Sequence, residues 1–329
     1  MRNKKIEITA YAAAGLASFG LFSGFSLFKV ILDRDNNIYS HFFNKINGNK
    51  ALKNGGKNHN SGYDFEYLEK NKEWFENQKT EDYELISADG LKLKASLLKS
   101  ENNSDVFVLC VHSYHSDGKR NYKYIAKFYH DLGFNVFMPD NRASGKSEGK
   151  YMTYGYYESK DTLEWINFLI RKFGKEIRII LQGNSMGAAS VMMLSGNENL
   201  PENVKFIVED CGFKSAPFQL AYNLRSMGIP DFPTIKEINL FCKLIADFDL
   251  NDCKPVNYVK KSKVPILFIH GGNDKTAPVS MAIDLYEHCP NYKDILIVEK
   301  AGHDRSYLKD PKNYELRIKN FCDKYLDNR

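Results

Sequence analysis

The chain has 329 residues, which is longer than one average domain and too long for a small module held together by disulfides. Hydrophobic residues make up 43% and charged residues 26%, a balance typical of folded proteins rather than disordered ones. The net charge of +5 arises in the first 60 residues, which hold nine Lys and Arg against three Asp and Glu. Because the rest of the chain is nearly neutral, its composition argues against a nucleic-acid-binding protein.

The six cysteines indicate neither a disulfide framework nor a metal site. No two of them stand at CxxC spacing, and the chain contains no HExxH motif. Zinc sites need such clusters of Cys and His, and a chain of this length does not depend on disulfides for stability. We therefore expect free structural thiols, no metal and no cofactor.

The N-terminus carries an uncharged stretch. Residues 8–28 contain no charged side chain, and about 20 apolar residues suffice to cross a membrane as a helix. This predicts a single-pass anchor within residues 1–32. The basic residues before it favour a body outside the cytoplasm, and the spacing of Gly20 and Gly24 would permit weak self-association. Two alternatives stay open: a cleaved signal peptide, which would give a secreted protein, and an apolar helix docked on the body.

Residues 33–62 are polar and rich in Asn, Lys and Gly, a composition typical of a flexible tether. Over residues 63–79, apolar and charged side chains alternate as in an amphipathic helix, which predicts the start of the folded body. The folded domain is accordingly expected over residues 63–329.

The body begins with a predicted hairpin, because Asp89-Gly90 separates two runs of alternating polarity. Short continuous apolar runs then alternate with helical patterns, as in strands buried on both faces of a sheet. The predicted strands are 106–111, 135–138, 177–181, 206–208, 265–269 and 295–298. These features predict an α/β fold with a mostly parallel sheet, an antiparallel edge hairpin and helices on both faces. An insertion over 212–262, with two amphipathic segments at 215–227 and 234–248, predicts a small helical lid.

A candidate nucleophile follows the predicted strand 177–181. Residues 183–187 read Gly-Asn-Ser-Met-Gly and open a predicted helix. A sharp strand-to-helix turn needs small neighbours, and it exposes the hydroxyl of Ser185 at the edge of the sheet. The same turn presents the N–H of Met186, and the positive end of the helix, to a developing oxyanion.

A serine nucleophile needs a base, and the base needs an acid that orients it. Asp274 and His303 each come just after a predicted strand, at the edge of the sheet where Ser185 also lies. Asp210, at the end of strand 206–208, is a rival for the acid. The order Ser, Asp, His predicts a triad of Ser185, Asp274 and His303.

The loop after the first parallel strand should supply a second oxyanion donor. We expect the N–H of Tyr114 in this role, with Ser113 as the alternative, while His112 braces the loop through hydrogen bonds. A later glycine-containing loop, residues 140–149, lacks the GxxxxGK[ST] motif of a phosphate-binding loop. Its Asp140 and Arg142 are expected to brace the loops beneath the site.

This order of motifs resembles the α/β-hydrolase superfamily over residues 64–326. Within the superfamily, the chain is similar to bacterial serine aminopeptidase-like and prolyl-oligopeptidase-like hydrolases and to related acyl esterases. The resemblance implies a Ser185–His303–Asp274 triad, an oxyanion hole formed by Tyr114 and Met186, and hydrolysis through an acyl-enzyme. One departure is Ser113, where the family usually has glycine. Serine restricts the backbone more than glycine does.

We expect a serine hydrolase of esters or small amides, with a small-molecule ester or peptide as substrate. Two alternatives are an aminopeptidase-like serine peptidase and a non-catalytic binding protein of the same fold. The apolar face of the lid either attaches the lid to the sheet or walls an acyl pocket above Ser185. Its members are Phe213, Phe218, Leu220, Tyr222, Leu224, Phe232, Phe241, Ile245 and Phe248. We also expect a chain starting near Gly62 to be soluble and active.

Overall fold

The computed structural model describes residues 23–46 and 64–326. Eight strands form one sheet in the order β1-β2-β4-β3-β5-β6-β7-β8. The strands are β1 (Glu81–Ile86), β2 (Lys92–Leu98), β3 (Val106–Val111), β4 (Asn135–Pro139), β5 (Arg178–Asn184), β6 (Val204–Asp210), β7 (Ile266–Gly271) and β8 (Lys293–Val298). β1 pairs antiparallel with β2, and β2 with β4, whereas every pair from β4 to β8 is parallel. The predicted parallel sheet with an antiparallel edge is confirmed.

Helices cover both faces of the sheet. They are α1 (23–32), α2 (Ile38–Ile46), α3 (Phe65–Glu76), α4 (Gly118–Tyr122), α5 (Ala126–Asp131), α6 (Tyr156–Phe173), α7 (Met186–Ser195), α8 (Ala216–Ser226), α9 (Thr234–Ile245), α10 (Pro255–Val259), α11 (Ser280–His288), α12 (Ser306–Lys309) and α13 (Pro311–Tyr325). In β3, Val108 packs towards α5 and α13, while its neighbour Leu109 packs towards α6 and α7. Because both faces of the central strands are buried, their sequences are apolar throughout rather than alternating.

The lid consists of α8 and α9, which lie within the segments predicted from the sequence. Several of its apolar side chains, among them Leu220, Leu224 and Ile238, belong to a buried cluster that also contains residues of α1. The lid is therefore attached by its apolar face both to the body and to the N-terminal segment.

The structure describes only the end of the predicted membrane anchor and gives the anchor no support. Residues 8–22 lie outside the described residues, and within residues 23–46 and 64–326 no helix has the length and apolar character needed to span a membrane. Helix α1 instead packs on the lid: the ring centroid of Phe25 lies 5.3 Å from that of Phe241, and Phe28 is fully buried. A Cβ added to Gly24 would lie 2.5 Å from the Cβ of Glu237. Gly24 thus allows α1 to approach α9 closely.

The predicted tether over 33–62 is also wrong for its first part. Asp33 forms a β-bridge with Tyr151, and the guanidinium of Arg34 donates to the carbonyl oxygens of Ser147 and Gly149 at 3.0 and 3.2 Å. Tyr39, in α2, is only 3% exposed. These contacts make residues 33–42 part of the folded domain, because their polar side chains find partners there. Residues 47–63 lie outside the described residues.

Candidate active site

Ser185 lies on the turn between β5 and α7, at the carboxyl edge of the sheet. Its backbone adopts φ 52° and ψ −110°, a conformation that non-glycine residues rarely adopt. The Ser185 N–H donates to the carbonyl oxygen of Asp210 at 2.8 Å, which ties the turn to β6. A Cβ on Gly187 would lie 1.9 Å from the carbonyl oxygen of Val111. Only glycine fits there, which explains the second glycine of the motif.

The structure brings Ser185, His303 and Asp274 into one chain of contacts. Ser185 Oγ lies 2.7 Å from His303 Nε2, and His303 Nδ1 lies 2.7 Å from Asp274 Oδ2. The other carboxylate oxygen, Asp274 Oδ1, accepts from the backbone N–H groups of Thr276 and Ala277 at 2.8 and 2.9 Å. The carboxylate is thereby fixed, and it orients the imidazole towards Ser185.

The electrostatics of the pair follow from burial and mutual attraction. Burial alone would raise the pKa of Asp274, but the positive charge of His303 and hydrogen bonds from His303 and His270 hold that pKa well below its usual value. Burial disfavours the imidazolium of His303, yet the nearby Asp274 carboxylate outweighs it and raises the pKa of His303 above 6.5. The pair therefore favours an ionised carboxylate beside a basic imidazole.

The rival acid, Asp210, does not contact the imidazole nitrogen that Asp274 binds. Asp210 is buried, and its Oδ1 accepts from Ser306 Oγ at 3.0 Å. Burial and, next, the charge of Asp304 raise the pKa of Asp210 to about 7. Asp210 thus connects β6 to α12 rather than orienting His303.

The two predicted oxyanion donors lie around the same small cavity as Ser185. Met186 is the first residue of α7, where a backbone N–H has no partner inside the helix. Tyr114 lies on the facing loop. The alternative donor, the N–H of Ser113, is engaged, because it donates to Asn121 Oδ1 at 2.7 Å.

His112 braces this loop, as expected from the sequence. It is fully buried, and its Nε2 accepts from the backbone N–H of Asn141 at 2.9 Å. Its Nδ1 therefore carries the proton and donates to the carbonyl oxygen of Ser113 at 2.7 Å. Ser113, where the family usually has glycine, also fixes the loop, because its hydroxyl donates to Asn121 at 2.8 Å.

Asp140 and Arg142 also act beneath the site rather than in it. The buried guanidinium of Arg142 pairs with Asp161 and Asp89, each at 2.7 Å. Asp140 accepts from the backbone N–H groups of Gly118 and Lys146 at 2.9 and 2.8 Å. Both residues hold loop 140–149 against the body.

Sequence reasoning missed two groups beside the triad. Asp304 accepts from Asn184 Nδ2 at 2.8 Å, and its other carboxylate oxygen lies 3.2 Å from Ser113 Oγ, so that it holds three segments of the site together. The buried His270, at the end of β7, places Nε2 2.8 Å from the carbonyl oxygen of Ala277 and 3.4 Å from Asp274 Oδ2. Their only sequence signal is their position next to a predicted site residue or at a strand end.

Two cavities open at the site. The smaller has a volume of about 140 Å³ and is lined by Tyr39, Ser40, Ser113, Tyr114, Tyr154, Ser185, Met186, Phe213, Gln219, Asn223, Thr276, His303, Asp304 and Arg305. The larger, about 760 Å³, is mostly polar and shares Ser40, Ser113, Tyr114, Asp304 and Arg305 with the smaller. Of the nine apolar lid residues considered as pocket walls, Phe213 lines the smaller cavity, whereas α8 presents Gln219 and Asn223. Of the two alternatives for the apolar face of the lid, the buried cluster supports attachment to the body, and the lid contributes mainly polar side chains to the cavity wall.

No group of three or more His, Cys, Asp and Glu side chains within residues 23–46 and 64–326 is placed to hold a metal ion. That the protein uses no metal or cofactor stays a prediction.

Comparison with known proteins identifies the fold family. Residues 106–241 match the family model of the alpha/beta hydrolase fold. Uncharacterized protein YqkD of Bacillus subtilis is 30% identical over 257 residues, which are 78% of this chain and 83% of that protein. Alpha/beta hydrolase domain-containing protein 17B of Xenopus tropicalis is 27% identical over 62% of this chain and 63% of its own.

Solved structures agree with this fold. An esterase of Pyrococcus furiosus superposes with a TM-score of 0.61 at 23% identity, over 77% of this chain and 93% of its own. Est1E from Butyrivibrio proteoclasticus, solved with ferulic acid bound, superposes with a TM-score of 0.60 at 18% identity, over 73% of this chain and 98% of its own. The sequence match to YqkD, the family model and the parallel sheet agree: the chain belongs to the α/β-hydrolase superfamily.

Proposed function

We propose that the chain is a serine hydrolase that cleaves carboxylic esters through an acyl-enzyme, with Ser185 as nucleophile, His303 as base and Asp274 as the acid that orients it. The observation that carries this proposal is the unbroken sequence of 2.7 Å contacts from Ser185 Oγ through the imidazole of His303 to Asp274. A nucleophile, a base and an orienting group in this arrangement activate a hydroxyl that is otherwise unreactive at neutral pH.

In the first half-reaction, Ser185 Oγ attacks the carbonyl carbon of the ester while its proton passes to His303 Nε2. The carbonyl oxygen becomes an oxyanion, which the N–H groups of Met186 and Tyr114 stabilise by hydrogen bonds. His303 then donates the proton to the departing alkoxide oxygen, and the C–O bond to the alcohol breaks. In the second half-reaction, a water oxygen attacks the acyl carbon while His303 takes its proton. His303 then returns the proton to Ser185 Oγ as the bond between the acyl carbon and Oγ breaks, which releases the carboxylic acid and restores Ser185.

The two cavities support an assignment of the two halves of the substrate. His303, which protonates the leaving group, lines the smaller cavity, and the residues that follow it, Asp304 and Arg305, line both cavities. A leaving group beside His303 can therefore extend into the larger cavity. That volume lies within the range of about 300 to 1,000 Å³ of drug-sized ligand sites, so it suits a sizeable polar alcohol. The smaller cavity, beside Ser185 and α8, then receives the acyl group.

Esters are favoured over peptides as substrates. The structural relatives named above include an esterase. The free amine of an aminopeptidase substrate would need a carboxylate partner. The lid contributes no Asp or Glu to the lining of the smaller cavity, and the carboxylate that does line it, Asp304, already accepts from Asn184.

Substitution of the nucleophile tests the proposal. Ser185→Ala should abolish turnover of p-nitrophenyl acetate and butyrate, a loss of about 10⁴-fold or more in kcat. Its thermal unfolding should be nearly that of the wild type, because the hydroxyl contributes little to packing. Ser195→Ala, which removes a hydroxyl at the far end of α7, is the matched control and should retain turnover.

Amino-acid p-nitroanilides measured beside the esters separate the alternatives. Anilides cleaved faster than any ester, with loss in Ser185→Ala, would favour a peptidase. Turnover that survives in Ser185→Ala would contradict the assignment of the nucleophile.

A further inference from the structure

The wall of the smaller cavity combines aromatic rings with two side-chain amides. Tyr39, Tyr114, Tyr154 and Phe213 contribute the rings. Gln219 and Asn223, four residues apart on α8 and therefore on one face of that helix, contribute the amides. Polar groups on one side thus interrupt the apolar lining expected of an acyl pocket.

The amide of Gln219 has a fixed orientation. Its Nε2 donates to the carbonyl oxygen of Thr276 at 2.6 Å, and a carbonyl oxygen can accept only from the N–H side of the amide. Its Oε1 therefore cannot exchange places with Nε2. Gln219 is only 3% exposed, and its Oε1 has no hydrogen-bond partner among the described residues.

Asn223 repeats this pattern one helical turn further along. It is 2% exposed, its Nδ2 donates to the hydroxyl of Tyr39 at 2.8 Å, and its Oδ1 has no partner within the described part of the chain. A buried acceptor that lacks a partner costs free energy in the folded protein. Both residues line the cavity beside Ser185, and two unpartnered acceptors at this position point to a ligand that donates hydrogen bonds.

The size of the cavity and the charges in its lining indicate which hydrogen-bond donor a ligand would carry. At about 140 Å³ the cavity is smaller than sites for drug-sized ligands, so the acyl group must be short. An ammonium group would require a carboxylate partner, and the lining carboxylate, Asp304, already accepts from Asn184. A neutral hydroxyl needs only the amide oxygens.

We propose that Gln219, with Asn223, forms a subsite for a hydroxyl on a short acyl group, so that the preferred substrates are esters of short hydroxycarboxylic acids. The proposal rests on the proposed function, because it needs the acyl group of an ester to enter the cavity beside Ser185. A site built to bind a hydroxyl rejects the analogue that lacks it, since the buried polar groups then stay unpaired.

The wild-type enzyme provides the first test. Ethyl butyrate, ethyl 2-hydroxybutyrate, ethyl 3-hydroxybutyrate and ethyl 2-aminobutyrate have the same carbon skeleton, and pH-stat titration measures their hydrolysis. At least one hydroxy ester should exceed ethyl butyrate in kcat/KM by about tenfold, the size of one hydrogen bond that satisfies a buried acceptor. Equal or faster hydrolysis of ethyl butyrate would overturn the subsite, and a preference for the amino ester would overturn its assignment to a hydroxyl.

Variants of α8 provide the second test. Gln219→Met keeps the length of the side chain and removes one of the two acceptors, so the ratio of kcat/KM for the preferred hydroxy ester over ethyl butyrate should fall towards one. Tyr222→Phe, on the same helix but outside the lining of the cavity, is the matched control and should keep the wild-type ratio. Because the ratio is internal to each variant, a general loss of activity does not affect it. An unchanged ratio in Gln219→Met would contradict the proposal.

The two proposals fail in different ways. Ester turnover that depends on Ser185 but shows no hydroxyl preference would overturn the subsite and leave the serine hydrolase intact. Hydroxy esters hydrolysed equally by Ser185→Ala would instead contradict the nucleophile.

Discussion

The contact between His303 and Asp274 governs the pH dependence that the site should show. The base must be neutral to accept the proton of Ser185, and the Asp274 carboxylate raises the pKa of His303 above 6.5. Activity should therefore be lost as the pH falls through this raised pKa and regained above it. The measurement is kcat/KM for p-nitrophenyl acetate between about pH 5 and about pH 9.

Asp274→Asn tests the cause of that profile. Loss of the carboxylate should lower kcat by about 10⁴-fold, because the imidazole then adopts the wrong tautomer. The ascending limb of any residual activity should also move to lower pH, because the attraction that raised the pKa of His303 is gone. An ascending limb that stays in place would show that another group controls it.

The N-terminal segment is the element for which the contacts in the structure differ most from the role predicted from the sequence. Ile31 accepts a hydrogen bond from the hydroxyl of Tyr114, and the ring of Tyr39 packs edge-on against the ring of Tyr114, with centroids 5.8 Å apart. Helices α1 and α2 therefore hold the loop that carries the candidate oxyanion donor. Of the uncharged stretch 8–28, the structure describes residues 23–28, and hydropathy alone could not predict that these pack on the lid.

Truncation tests this role. The sequence predicts that a chain starting near Gly62 is soluble and active, whereas the structure predicts that such a chain loses stability and activity. A chain starting at residue 64 should unfold at a lower denaturant concentration, because removal of Phe28, Ile31 and Leu32 uncovers the apolar surface that each one buries. Its kcat/KM for p-nitrophenyl acetate should fall, since Tyr114 loses its partners. A chain starting at residue 23 is the control and should retain both properties. Equal stability and activity of the two chains would contradict an active-site role for α1 and α2.

At the scale of the whole molecule, topology explains what could be predicted from the sequence. Strands buried on both faces leave continuous apolar runs, and the parallel arrangement places the loops after β3, β5, β7 and β8 at one edge. Ser185, Asp274 and His303 each follow one of these strands, so their proximity follows from chain order.

The cavity walls could not be predicted in this way. Tyr39 and Asn223 bond across 184 positions of the sequence, and neither belongs to a strand end or a motif. Their meeting depends on how α1 and α2 pack on the lid, which the local patterns of polarity do not specify. The cavity walls, and with them the proposed hydroxyl subsite, can therefore be recognised only in the folded chain.

Covalent labelling of the full chain tests the central claim most directly. A fluorophosphonate probe reacts with a serine that a neighbouring base activates, and mass spectrometry of the digested protein locates the adduct. We predict one adduct per chain, on Ser185, which is lost in Ser185→Ala and forms much more slowly in Asp274→Asn. Labelling of a different residue, or no labelling of the folded wild-type protein, would contradict the account.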